Sequence, residues 1–361
     1  MNWLIGSTLL VGAVAAGPLP PPPEEVLALP PELSERLHEE IIGAEKRQED
    51  RLDRLVEFMF STSGLDFDYI VEPTTSVSET FQAGKGNCLS FTLLFIAMAE
   101  EAGMRSYPHE VDVPLGWRRN ERLVFQSSHI NVGVSTPTKR YIVDFEPDRI
   151  LARRLASRWR GQRVDRERAL AHFYNNRAVE LLAEGQLDPA RAWSEQSLKM
   201  SPDFTAALNN RGVIERRLGN TGLAESFFLQ ALEIDEGDSG ALFNLIALYR
   251  QLDHPEEVAA YQERVESLRP KDPYFQWELG KHHEDLGNLG RAHRFYSKAA
   301  DMMPQEHQFH GALARVLRKM GHGEEAVEAF SEAVRYSHAE DRETYRNEIE
   351  SIRQAAGEGG L

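Results

Sequence analysis

From residue 171 to residue 340 the chain repeats itself every 34 residues, and this period limits the fold more than any other feature. Pro202, Glu236, Pro270 and Pro304 are spaced by 34, as are Ala190, Ala224, Val258, Ala292 and Ala326, and Ala178, Gly212, Ile246, Gly280 and Ala314. Phe228, Tyr296 and Phe330 occupy a large-residue position, with Ala231, Ala299 and Ala333 three places on. A unit of this length holds two helices, and recurring small residues mark where they touch. One such pair cannot bury its apolar face alone, so neighbours must stack. The units run 171–204, 205–238, 239–272, 273–306 and 307–340, and 341–361 reads as a polar capping helix with a flexible tail.

Period and small-residue placement together resemble the tetratricopeptide repeat. The resemblance implies an all-α superhelix whose concave groove holds an extended polypeptide or a partner helix. Asn175, Asn209, Asn210 and Asn244, with Arg216 and Arg250, fall near groove-facing positions of the first helices. Amides there are able to clamp a peptide backbone, and ordinary surface polarity is the competing explanation. His282 with His283, and His307 with His310, lack the converging acid and second histidine of a catalytic metal helix, so no metal and no cofactor are expected.

The chemistry sits in the first half. Cys88 is the only cysteine, preceded by Gly84 and Gly86 and followed by the apolar run Leu89 to Ala97. A glycine turn delivering a thiol to the first turn of a helix sets the sulfur at the positive end of the helix dipole, where a thiolate is favoured. That helix is expected to run to Gly103, after a short helix over 76–82. Beyond it the period becomes alternating. Ile130, Val132 and Val134 form one strand and Tyr141 to Phe145 a second, joined by a turn over 135–139. His129 opens the first strand and Asp144 lies in the second. If paired residue numbers sum to 273 or 275, Asp144 faces His129 directly or diagonally; an even sum separates them.

Gly86-Asn87-Cys88, Ser128-His129-Ile130-Asn131-Val132 and Val143-Asp144-Phe145-Glu146-Pro147 resemble the transglutaminase-like superfamily over about a fifth of the chain. The resemblance implies a papain-like α+β fold in which Cys88 attacks an amide or ester carbonyl, His129 acts as general base and Asp144 orients the imidazole. The family spans hydrolases, crosslinking transferases and inactive members, so the reaction type does not follow. The Cys88 N–H would hold the oxyanion, with Gln82 as a second donor. Asn131 assists His129 or satisfies backbone, Trp117 walls a groove or plugs a core edge, and His109 is the rival base.

Residues 1–16 resemble a signal peptide, with an apolar stretch too short to span a bilayer and a small-residue site at Ala13-Val14-Ala15. Export follows, to the periplasm in a bacterium, or attachment by an uncleaved N-terminus. The mature chain is expected to have no transmembrane span. Residues 17–31 read as a Pro-rich linker, 32–148 as the transglutaminase-like domain and 149–170 as a basic connector helix. The connector's arginines (Arg149, Arg153, Arg154, Arg158, Arg160, Arg163, Arg166, Arg168) form a solvated face or a contact for anionic partners and membrane headgroups. A net charge of −16 argues against nucleic acid as a partner. Two functions follow: an exported thiol hydrolase or acyl transferase whose repeats capture a protein substrate, or a repeat adaptor whose front domain is a non-catalytic recognition module.

Overall fold

The structure, a computed structural model, describes residues 19–110, 116–120, 123–127, 130–145, 154–155, 161–268, 273–337 and 339–358. The chain divides into two compact units, one ending at Leu248 and the other beginning at Tyr249. The first opens with α1 (Pro23–Val26), α2 (Pro31–Leu37), a π-helical turn (His38–Ile42) and α3 (Gln48–Phe60). There follow β1 (Asp68–Tyr69), α4 (Val77–Ala83), β2 (Lys85–Gly86), α5 (Cys88–Glu101) and β3 (Arg105–Glu110). Six short strands come next: β4 (Gly116–Asn120), β5 (Leu123–Ser127), β6 (Ile130–Ser135), β7 (Arg140–Val143), β8 (Arg154–Leu155) and β9 (Gln162–Arg163). Among the described residues, the elements that follow are helical.

Helix α5 is apolar on almost every side and is buried along its length, which requires a cover all round. Its sheet is antiparallel, in the order β8-β7-β6-β3-β9. Val132 pairs with Val143 and Val134 with Tyr141, so residue numbers across this hairpin sum to 275. Phe91 of α5 meets Phe60 edge-on at 5.4 Å and stacks on Phe67 at 5.8 Å.

Two expected linkers are built into this unit. Within 17–31, Val26 is fully buried and the Pro21 carbonyl accepts from Tyr174 Oη at 2.7 Å; an extended proline segment leaves its carbonyls free for such a bond. Within 149–170 the described residues hold β8 and β9 rather than one helix, and the next helix begins only at Arg166. Arg163 stacks over the Tyr107 ring, and Arg166 pairs with Glu100. The arginines had no apolar period to betray strands this short.

The repeat helices α6 (Arg166–Ala183), α7 (Leu187–Met200), α8 (Thr205–Arg217), α9 (Thr221–Ile234) and α10 (Ser239–Gln251) follow. Glu110 at the end of β3 accepts from His172 Nε2 at 2.9 Å and pairs with Arg168 at 3.3 Å, both on α6. Burial works against this carboxylate, yet the bond and charge of His172 and the charge of Arg168 hold its pKa down to about 2. Burial of the whole ring pushes His172 below its ordinary value. Where α8 crosses α9, a Cβ on Gly212 would lie 2.4 Å from the Phe228 ring.

The second unit holds α11 (Pro255–Ser267), α12 (Pro273–Asp285), α13 (Leu289–Met302), α14 (His307–Lys319), α15 (Gly323–Tyr336) and α16 (Ala339–Glu358). It repeats the same solution: a Cβ on Gly280 of α12 would lie 2.5 Å from the Tyr296 ring of α13. Glu284 ties α12 to α14 through Arg315 and Lys319, at 3.0 and 2.8 Å. Helix α16 closes this unit by seating Tyr345 against Gly311 and Ile349 in the core.

Gly212→Ala is expected to cost about 1–3 kcal/mol by overpacking, and Phe228→Leu in the same chain to recover part of it, both read by urea unfolding. Glu110 is depressed from 4.5 to about 2, so its stabilisation is complete above pH 4.5 and disappears as the pH falls towards 2. Glu110→Gln is expected to lower stability at neutral pH and flatten that acid limb, as measured by denaturation against pH.

Candidate active site

The approach to Cys88 is built one bond at a time. Ser76 caps α4 with a reciprocal pair, its Oγ accepting from Glu79 N–H and its own N–H donating to Glu79 Oε2 at 2.8 Å. Gly84 ends α4 in the left-handed region at φ 65°, which glycine adopts without strain. The chain then runs parallel to β1, with Tyr69 level with Gly86. A Cβ on Gly86 would come within 3.0 Å of Ser90 Cβ and 3.1 Å of Thr80 Cγ2, so the backbone closes on α5 only as glycine.

Asn87 is the cap of α5. Its Oδ1 accepts from Ser90 N–H at 2.9 Å, and its Nδ2 donates to Thr74 Oγ1 at 2.9 Å. Thr74 N–H donates in turn to Glu180 Oε1 of α6 at 2.8 Å. Cys88 is the first residue of the helix and is partly exposed. It therefore combines solvent access with the N-terminal end of a well-capped helix.

One turn later, Thr92 Oγ1 donates to the Ile130 carbonyl at 3.2 Å, laying the start of β6 beneath the first turns of α5. The end of β7 lies there as well. Phe145 packs on Phe91 and Phe95 at 6.0 and 5.8 Å, and Asp144 beside it is 1% exposed. Carried one residue past Val132 and Val143, the register sets Asp144 level with Asn131. This is an odd-sum pairing, in which positions 131 and 144 share a face. His129 lies outside the described residues, as does the side chain of Trp117, whose backbone belongs to β4.

The remaining candidates have other occupations. Asn131 is buried, and its Oδ1 accepts from His109 Nδ1 at 2.9 Å across the β3–β6 pair. The His109 ring is covered by Gly161, where a Cβ would approach it to 2.6 Å. Gln82 is exposed on α4 and bonds Ser78 in its own helix. The four asparagines expected along a groove are buried instead: Asn210 Nδ2 donates to Asn175 Oδ1, and Asn244 Nδ2 to Asn209 Oδ1, each at 2.9 Å. An amide pointing at the next repeat finds its partner in that repeat's amide, which spends it on stacking. The structure adds roles for Asn87, Thr74 and Glu180. Asn directly before an apolar helical run is a cap signal, but Glu180 lies 106 residues from Thr74 and leaves no local trace.

Residues 35–107 match the model of the transglutaminase-like superfamily, and residues 175–239 that of the tetratricopeptide repeat. The chain joins a transglutaminase-like domain to tetratricopeptide repeats. The first match takes in Cys88 and stops within β3, before β6 and β7. No curated protein matches the chain. Among solved structures, it is similar to a thermophilic tetratricopeptide protein of Thermus thermophilus (TTC0263), at 20% identity over 51% of this chain and 99% of that one, TM-score 0.38. It is also similar to YrrB, described as having an unusual peptide-binding site, at 17% identity over 49% and 92% of the two chains, TM-score 0.32. MamA of Desulfovibrio magneticus gives 19% identity over 46% and 94%, TM-score 0.33.

Asn87→Ala removes the cap of the transglutaminase-like helix and is expected to cost about 1–2 kcal/mol. Asn87→Asp keeps the acceptor for Ser90 and should retain more of the stability than alanine. Chemical denaturation of the three proteins makes the comparison.

Proposed function

We propose that the chain is an exported cysteine acyl-transfer enzyme that takes polypeptide substrates, with Cys88, His129 and Asp144 as its catalytic set. One observation supports this above the others: Cys88 opens the capped N-terminus of α5 and is partly exposed there, one turn before the Thr92 bond to the Ile130 carbonyl, while Asp144 is buried just beyond β7. In the proposed reaction His129 takes the Cys88 thiol proton, and the sulfur attacks the carbonyl carbon of an amide. The oxyanion is held by the Cys88 backbone N–H at the open end of the helix. The tetrahedral species collapses with loss of the amine, which leaves with the proton carried by His129. The resulting thioester is resolved by water, giving hydrolysis, or by a second amine, giving transfer. Asp144 keeps the imidazole oriented and stabilises its charged form. Tetratricopeptide repeats are protein-binding elements, and here they deliver the polypeptide on which Cys88 acts. Residues 1–16 direct export.

Cys88→Ala is expected to lower turnover of a bound polypeptide by roughly a thousandfold or more while leaving the far-UV helical signal unchanged. Asp144→Asn is expected to lower kcat and spare KM. Full turnover by Cys88→Ala would sink the enzymatic function and leave the repeats as the working part of an adaptor.

A further inference from the structure

The cap of α5 does not stand alone. Asn87, which holds the Ser90 amide, is held by Thr74, and Thr74 is held by a carboxylate on the first helix of the repeats. Each link is 2.8–2.9 Å long, and Thr74, Asn87 and Ser90 are 2%, 6% and 0% exposed. The second oxygen of Glu180 is occupied by Arg177, one turn earlier on α6. Thr75 adds a parallel tie, its N–H donating to Ser90 Oγ at 2.9 Å. The loop over 71–76 is thus pinned between the repeat helix on one side and the first turn of α5 on the other.

We propose that Glu180 is a positioning residue for Cys88: by accepting the Thr74 N–H it fixes the loop that orients the Asn87 cap and, through it, the helix end carrying the sulfur. The first repeat helix is then a structural part of the active site rather than a tether for it. The proposal rests on Cys88 acting as the nucleophile, but the cap itself is measurable without any turnover.

The chemistry of the contact supplies the test. Glu180→Gln keeps an oxygen acceptor for Thr74 and loses the Arg177 ion pair; Glu180→Ala loses both. Glu110→Gln weakens a separate contact with α6, that of β3 through His172 and Arg168, without touching the loop. Two quantities are measured on the full chain: amide hydrogen exchange at Ser90, and the rate at which iodoacetamide alkylates Cys88 with loss of iodide, across roughly pH 6 to 9. Glu180→Ala is expected to raise Ser90 exchange about fivefold and to slow alkylation at neutral pH by a similar factor, the size expected for a weakened cap. Its alkylation profile should move to higher pH. Glu180→Gln should stay near the wild type in both, and Glu110→Gln should leave Ser90 unchanged. Unaltered Ser90 exchange in Glu180→Ala, or an equal rise in Glu110→Gln, overturns the positioning role. A wild-type thiol that alkylates no faster than in the denatured chain overturns the nucleophile instead, while Ser90 exchange still decides the role of Glu180.

Discussion

The bond between Asn87 Oδ1 and the Ser90 amide is the contact on which the front of this protein turns. A helix as apolar as α5 is stable only inside a core, yet its first amides have no partners within the helix. If that end were buried uncapped it would carry a desolvation cost with nothing to offset it. Asn87 supplies the acceptor from its own side chain, and the helix can then begin at the rim of the core. Cys88 is partly exposed for this reason, while Leu89 and Phe91 beside it are buried. The cap and the thiol's position are one solution to one problem.

The same economy of atoms recurs elsewhere in the chain. Gly86 admits Ser90, Thr80 and Phe91, Gly133 admits the Tyr107 ring, and Gly212 and Gly280 admit Phe228 and Tyr296. In each case the missing Cβ is filled by a side chain from a neighbouring element, so these glycines are set by packing rather than by turn conformation. In the repeats this exchange fixes how closely the two helices of a pair approach.

Much of this was legible in the amino-acid order. The 34-residue period, the helix start at Cys88, the short helix before Gly84 and the β6–β7 hairpin all follow from local pattern, and the hairpin register is one of the two that alternation allowed. What escaped notice depends on partners distant in sequence. Strands β8 and β9 are two residues each and exist through their pairing with β7 and β3. Val26 and Pro21 join the core through contacts that a proline-rich composition hides. The asparagines of α6, α8 and α10 looked like surface groups because one helix alone cannot reveal what the next repeat places against it. Glu180 is unreadable for the same reason: the bond that matters crosses from the repeats to the loop before Asn87.

The central claim is that Cys88 accepts an acyl group. Its most direct test is intact-mass measurement after acid quenching of the protein mixed with a peptide active ester. One acyl increment per chain is expected, mapped to Cys88 and discharged by hydroxylamine. Ester consumption that continues undiminished in Cys88→Ala, or an acyl group carried on any other residue, contradicts it.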